Sequence, residues 1–460
     1  MPEAEPLNPD RLRPELTAGQ MAMVGVGGSI GTGLLLGSGA ALGIAGPAVV
    51  ISYALAALMA FAVTMALGEM SSAHPGAGSF GIYADLYLNP WAGFVSRYGY
   101  WFAIMISISA ELVAAATYMG YWFPRIPALI WIALFAALLV TVNLAEVGDF
   151  GGFEYWFAMI KVVVIFVFMI LGAALLFGQR VPAQYLTHGG FFPHHAAGPL
   201  LAISFGLFSF LGTEMVAISS EEAKSPAVIP RATRITFLVL ALVYIGAPAV
   251  LVGVLPWDQA GVAQSPFVTV FAAAHIPYAP DLMNFVVLTA ALSGSNASLY
   301  VTSRMLYSLA QSGYAPRKLT ELTSTGAPRW AILFSTFGIV IALAVQYVAP
   351  QNAYLYIIGA SLFGGMLAWG IALASHIGMR RKLTREQVAA LPMRAPGGAS
   401  ASWIALFAIA AVVISTAAVP QSRITAISAA PLLVVLTIFY WLMRKQRAAS
   451  EQTNSARGSQ

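Results

Sequence analysis

The chain has 460 residues, of which 59% are hydrophobic and only 9% charged, with 23 Lys and Arg against 18 Asp and Glu for a net charge of +5. A soluble domain carries about 25% charged residues, so neither a soluble enzyme nor a disordered chain fits, and the absence of Cys removes a disulfide scaffold. The small, scattered positive excess also excludes a nucleic-acid footprint, which leaves a polytopic membrane protein.

Residues 1–16 hold Glu3, Glu5, Asp10 and Glu15 among prolines and read as a disordered cytoplasmic tail rather than a signal peptide. A helix crosses the bilayer with about 20 mostly apolar residues, and by that measure roughly twelve stretches qualify. Their limits are 18–44, 46–70, 91–119, 126–145, 153–178, 198–223, 234–255, 281–311, 329–349, 352–378, 401–419 and 424–443. The runs are continuous rather than alternating, so a transmembrane β-barrel is rejected and an all-α membrane protein is expected. Segment 256–280, with Pro256, Trp257 and Asp258 ahead of an apolar stretch, is expected to add a short surface helix outside. Segment 379–400 reads as a basic, then Pro- and Gly-rich linker inside, ahead of the last two spans (401–443) and a cytoplasmic tail (444–460).

Basic residues concentrate in alternate loops, as in Arg231 and Arg234, Arg317 and Lys318, Arg380–Lys382 and Arg444–Arg447. Only Arg125, Arg180 and Arg423 fall on the opposite side, which puts both termini in the cytoplasm.

Two spans carry interruptions. The first holds Gly25, Gly27, Gly28, Ser29, Ile30, Gly31, Thr32 and Gly33, and the sixth holds Phe208, Ser209, Phe210, Leu211, Gly212, Thr213 and Glu214. Glycine costs about 1 kcal/mol relative to alanine inside a helix, so the first run favours a break. The centres Ile30 and Leu211 lie 211 − 30 = 181 residues apart, about the offset between a five-span unit at 17–178 and another at 198–378. An odd number of spans inverts the second unit, and paired interruptions in corresponding spans mark the midplane binding site of an inverted-repeat transporter. The competing reading of the glycines is close helix packing. A phosphate loop is excluded because no strand precedes the run. A broken helix offers free N–H groups to an anion and free carbonyls to a cation, a combination that suits a zwitterionic amino acid.

Several segments then resemble one family. They are Gly-Gly-Ser-Ile-Gly-Thr-Gly at 27–33, Ala-Gly-Pro at 45–47, Leu-Gly-Glu-Met at 67–70 and Gly-Ser-Phe at 78–80. They continue with Phe-Ala-Met-Ile-Lys-Val-Val at 157–163, Gly-Thr-Glu at 212–214, Ile-Pro-Arg-Ala at 229–232, Leu-Thr-Ala-Ala-Leu-Ser at 288–293 and Ser-Arg-Met-Leu at 303–306. Over about 17–380 the chain is similar to the amino acid–polyamine–organocation superfamily, in the branch of bacterial aromatic-amino-acid and γ-aminobutyrate permeases. The resemblance implies twelve transmembrane helices in the leucine-transporter fold, two inverted five-helix repeats plus two extra helices. It places a substrate carboxylate at the backbone of Gly28, Ser29, Ile30 and Gly31. The substrate ammonium would meet carbonyls around Phe208, Ser209, Leu211 and Val26, with Phe208 capping the substrate where some relatives have Trp.

Ionisable residues inside apolar spans cost about 2.5–3.5 kcal/mol on insertion scales and therefore suggest function or pairing. Lys161 is either functional or snorkelling to an interface. In proton-coupled relatives a lysine of this motif stands in for a sodium ion, which implies proton coupling here. Glu214 caps free N–H groups or relays protons, and Glu111 reads the substrate or pairs with another span. Glu69 is expected to partner a loop or an Arg at the cytoplasmic end of span two. Ser293, Ser295, Asn296 and Ser298 give span eight a polar patch, with Ser295 a candidate for the substrate side-chain pocket. No metal-ligand spacing and no cofactor motif is found. The expected function is proton-coupled uptake of an amino acid, by a protein that is no enzyme, sits in the bacterial inner membrane and works as a monomer. Its partners are the substrate, the proton and the lipid bilayer, without nucleic acid. An exchanger without proton coupling is the alternative.

Overall fold

The computed structural model describes residues 16–74, 80–145, 150–178, 183–225, 227–323, 326–420 and 422–458. Most of the amino-terminal tail, Arg180 and Gly78-Ser79 lie outside these residues. The described chain is helical, and its only β features are two isolated bridges, Leu16 to Ala223 and Leu322 to Pro328.

The first expected span begins at α1 (Ala18–Ser29), which a reciprocal cap sets in place. Thr17 Oγ1 accepts from Gln20 N and Gln20 Oε1 accepts from Thr17 N, at 3.3 and 3.0 Å. After the break the chain makes a single turn, α2 (Thr32–Leu35), then α3 (Gly37–Ala45), and runs through a short 3₁₀ turn into α4 (Val49–Ala73). Next come α5 (Phe80–Tyr87) and α6 (Pro90–Trp122), the latter started by Pro90 and by Asn89, whose side chain accepts from Ala92 N. Then follow α7 (Ala128–Ala145) and α8 (Phe150–Phe177). The second interrupted span is α9 (Ala197–Phe210) with the one-turn α10 (Met215–Ile218). Beyond it lie α11 (Val228–Val254), α12 (Pro266–Ala273), α13 (Ala279–Gln311), α14 (Arg329–Ser335), α15 (Phe337–Val348) and α16 (Ala353–Lys382). The chain closes with α17 (Arg385–Ala389), α18 (Gly398–Ser415) and α19 (Arg423–Gly458).

Ten helical stretches among the described residues are long and apolar enough to cross a membrane, against roughly twelve expected. The difference has two physical causes. The first span is broken into pieces too short to count, with α3 continuing into the second, and the apolar helix Ala128–Leu144 is at the short end of what crosses a bilayer.

The core is built around α6, which packs along both α13 and α16. The most apolar stretch of α6 is 83% buried and that of α9–α10 is 89% buried, whereas that of α19 is 11% buried. The interrupted span is therefore central and the last span peripheral, where apolar residues such as Val434, Val435 and Ile438 face outward as lipid-facing residues do.

Two connecting segments differ from expectation. Helix α12 is no surface helix: Phe267 and Val268 are fully buried, and Ser265 Oγ donates to Leu35 O at 2.7 Å, so the segment wedges against the broken span. The segment after α16 is docked rather than a free linker. Met393 is buried beside Gly68 and Met65, and Ala395 N donates to Glu69 Oε2 at 2.5 Å. Glu69 is itself fully buried at the end of α4. Arg380 Nη2 donates to it at 2.6 Å, and His376 Nε2 lies 3.3 Å from its other oxygen. His376 Nδ1 is in turn 2.8 Å from Ser402 Oγ of α18.

One carboxylate thus joins α4, α16, the segment after α16 and, through His376, α18. Removing one partner of a buried ion pair leaves an uncompensated charge and costs about 3–5 kcal/mol. Arg380→Ala is expected to lower the melting temperature of the detergent-purified protein clearly, and Arg380→Lys to lower it less. An unchanged melting temperature in Arg380→Ala would remove this role.

Candidate functional site

The two interruptions fall at the predicted centres. Ile30 ends α1 at φ −77°, ψ 95°, and Leu211 ends α9 at φ −60°, ψ 131°, both extended rather than helical. The breaks lie against each other. Gly212 adopts φ +110°, and a Cβ there would stand 2.6 Å from Gly28 O and 2.8 Å from Ser29 N. Glycine is needed at 212 both for its backbone conformation and for this approach. On the other side, a Cβ on Gly33 would meet the Phe208 ring at 3.0 Å and Ser209 Cα at 3.1 Å.

A helix break inside an apolar protein must find partners for its freed backbone groups. In the first span these come from four other helices. Lys161 of α8, buried, donates from Nζ to Gly27 O at 3.2 Å. Tyr244 of α11 donates its hydroxyl to Ser29 O at 2.5 Å. Thr32 N donates to both carboxylate oxygens of Glu111 on α6, at 3.1 and 3.3 Å, and Tyr354 of α16 donates to Thr32 O at 2.7 Å. A Cβ on Gly31 would run into Glu111 Oε1, so the carboxylate lies directly on the glycine of the break. Val26 O and Phe208 O each accept a local amide, from Ile30 N at 2.9 Å and Leu211 N at 3.2 Å, and so close the last turns of their helices.

The second break is held by Glu214. Its Oε1 accepts from Gly212 N at 3.0 Å, and its Oε2 accepts from Trp369 Nε1 of α16 at 3.1 Å. Glu214 thus caps the break itself rather than the turn that follows it. Ser209 Oγ donates to Phe205 O at 3.0 Å and lies 3.5 Å from the Tyr53 hydroxyl. Phe208 additionally walls a small cleft with Ser204, Leu355, Leu362 and Thr425.

The structure therefore brings Gly28, Ser29, Ile30, Gly31, Glu111, Lys161, Phe208, Ser209, Leu211 and Glu214 to one place. Ser295 is fully buried, but its hydroxyl donates to Ala291 O of its own helix at 2.9 Å. The α13 residue that faces Glu111 is Gly294, whose Cβ position lies 3.4 Å from the carboxyl carbon. Elsewhere in the span-eight patch, Asn296 accepts from Asn143 of α7 at 2.7 Å. No group of three or more His, Asp or Glu placed to hold a metal ion occurs among the described residues.

The residues missed by the sequence reading are Tyr244, Tyr354 and Trp369. Each is a polar-tipped aromatic in an apolar span, and a buried phenol or indole usually finds a hydrogen-bond partner. That expectation marks them as candidates without naming the carbonyl or carboxylate they reach.

The family model described as amino acid permease matches residues 20–453. The chain is 37% identical to the gamma-aminobutyric acid permease of Bacillus subtilis (strain 168) over 447 residues, 96% of this chain and 95% of that one. It is 34% identical to the aromatic amino acid transport protein AroP of Escherichia coli (strain K12) over 448 residues, 96% of this chain and 97% of that one. The chain belongs to the amino acid permease family, a family of multi-pass membrane transporters rather than enzymes.

Proposed function

We propose that this permease takes up an amino acid across the bacterial plasma membrane by alternating access, with proton coupling through Lys161 and Glu214. In this reading the chain crosses the membrane twelve times with both termini in the cytoplasm. Residues 17–178 and 198–378 form the two inverted repeats of the leucine-transporter fold, spans eleven and twelve are appended, and the monomer is the working unit.

The observation that carries the reading is the pair of breaks set against each other, Gly212 on Gly28, with Lys161 and Glu111 bonded to the same broken helix. A cation on Gly27 O and an anion on Thr32 N, five residues later, outline the two ends of a zwitterion. The protein supplies an amine and a carboxyl of its own here, so a substrate carboxylate entering at Gly28–Gly31 meets Glu111 already on the neighbouring amide. Its ammonium is read by carbonyls at Val26, Phe208, Ser209 and Leu211, its side chain lies toward Ser295 and α13, and Phe208 closes over it. Protonated Lys161 holds Gly27 O by a charge-assisted bond, and loss of the proton weakens that bond. Proton exchange on Lys161 is thereby tied to the position of α1.

Uptake by purified protein in liposomes tests this reading. The panel should include γ-aminobutyric acid and aromatic amino acids, the substrates named for the relatives. Accumulation of an amino acid driven by an inward proton gradient is expected. Counterflow with no response to the gradient would make the protein an exchanger, and no amino acid taken up or exchanged would end the transport reading.

Two substitutions sharpen the test. Lys161→Ala is expected to lose the response to an imposed pH gradient while the protein still folds and performs counterflow, whereas gradient-driven uptake at the parental rate would refute the role of Lys161. Gly212→Ala forces a Cβ onto Gly28 O at a backbone angle that costs a non-glycine residue about 1–3 kcal/mol. It is expected to lower both the melting temperature and uptake, and parental values for both would show that the breaks need not touch.

A further inference from the structure

The backbone bonds of the broken span divide between two sets of helices. On the inner side of the break, Gly27 O is held by Lys161 of α8 and Ser29 O by Tyr244 of α11. On the outer side, Thr32 is held through both of its backbone groups, its N–H by Glu111 of α6 and its C=O by Tyr354 of α16. The helices α6 and α16 pack along each other, so the two bonds fasten Thr32 to one unit of structure. Thr32 O also closes the turn by accepting from Leu36 N at 2.9 Å. Residue 37 beside it is glycine, and a Cβ there would crowd the Tyr354 hydroxyl oxygen at 3.2 Å. Tyr354 is itself buried, at the start of α16.

We infer that Tyr354 is a positioning residue for substrate binding, its hydroxyl fixing Thr32 and with it the Gly31–Gly33 backbone that Glu111 and Phe208 face. The inference rests on the transport reading and adds to it a residue from α16 that makes no bond to Lys161, Glu111 or Glu214 in this structure. Of the two bonds on Thr32, that of Glu111 is the one a competing carboxylate can replace. The Tyr354 bond goes to a carbonyl, which an anion does not contest. Tyr354 therefore keeps the outer side of the break in register whether or not Glu111 is engaged, and its loss weakens substrate binding more than it slows the loaded carrier.

The test is a KM and Vmax comparison in liposomes for the best-transported member of the uptake panel. Tyr354→Phe removes one hydroxyl and keeps the ring. A single neutral hydrogen bond corresponds to about a two- to tenfold change in an equilibrium, so KM is expected to rise about two- to tenfold with Vmax retained. Gly37→Ala, which keeps the tyrosine and crowds its hydroxyl, is expected to move KM in the same direction. A parental KM in folded Tyr354→Phe overturns the inference, as does a fall in Vmax at unchanged KM. If Tyr354→Phe does not fold, the Gly37→Ala result decides on the same criteria. Absence of uptake or counterflow by the parent overturns the transport reading and this inference with it, whereas parental transport with unaltered variants overturns this inference alone.

Discussion

Everything in the centre of this protein follows from one constraint: a helix broken inside a membrane must have its freed backbone groups satisfied by protein. The first span breaks between Ser29 and Thr32, and the carbonyls of Gly27, Ser29 and Thr32 and the amide of Thr32 each receive a side-chain partner. Those partners come from α8, α11, α16 and α6 respectively, so the break becomes the point at which the major helices meet. The second break is placed by the same need, with Glu214 accepting from Gly212 N while Gly212 rests on Gly28 O. The site exists because two stretches of backbone cannot be left alone.

The constraint also explains how so few charges are used. Buried Lys161, Glu111 and Glu214 all act on backbone at the breaks, where a charged group gains hydrogen bonds that an apolar helix interior could not offer. Glu69 is the third buried carboxylate among the described residues, and it does at the end of α4 what the other two do at the centre. It gathers Arg380, His376 and the Ala395 amide, and with them draws the segment after α16 against α4. The segment's composition, Arg394, Pro396, Gly397 and Gly398, reads as a linker, yet the fold gives Met393 and Ala395 buried places because a buried carboxylate needs donors.

What the residues disclose in advance is local. Glycines at 25, 27, 28, 31 and 33 weaken one stretch of helix, Gly212 weakens another, and the structure breaks next to Ile30 and at Leu211. An isolated lysine in an apolar run likewise announces a partner, and Gly27 O is the partner found. What stays hidden is which distant residue answers. Nothing in the spacing of α16 says that Tyr354 reaches a carbonyl 322 positions earlier, or that Trp369 on the same helix meets Glu214. Glu111 was legible as a carboxylate in need of a partner, but its partner, the Thr32 amide, is fixed by how α6 packs beside the break. Ser295 shows another limit: its place in the span is legible, but not that its hydroxyl bonds to Ala291 O one turn back in its own helix.

The most direct test of the central claim is an experimental structure of the protein with its transported amino acid bound. The account predicts the substrate carboxylate within hydrogen-bond distance of the Gly28–Gly31 backbone, Glu111 withdrawn from Thr32 N, and Phe208 over the ligand. A ligand bound away from both breaks, or one bound with Glu111 still on Thr32 and no contact to the Gly28–Gly31 backbone, would contradict it.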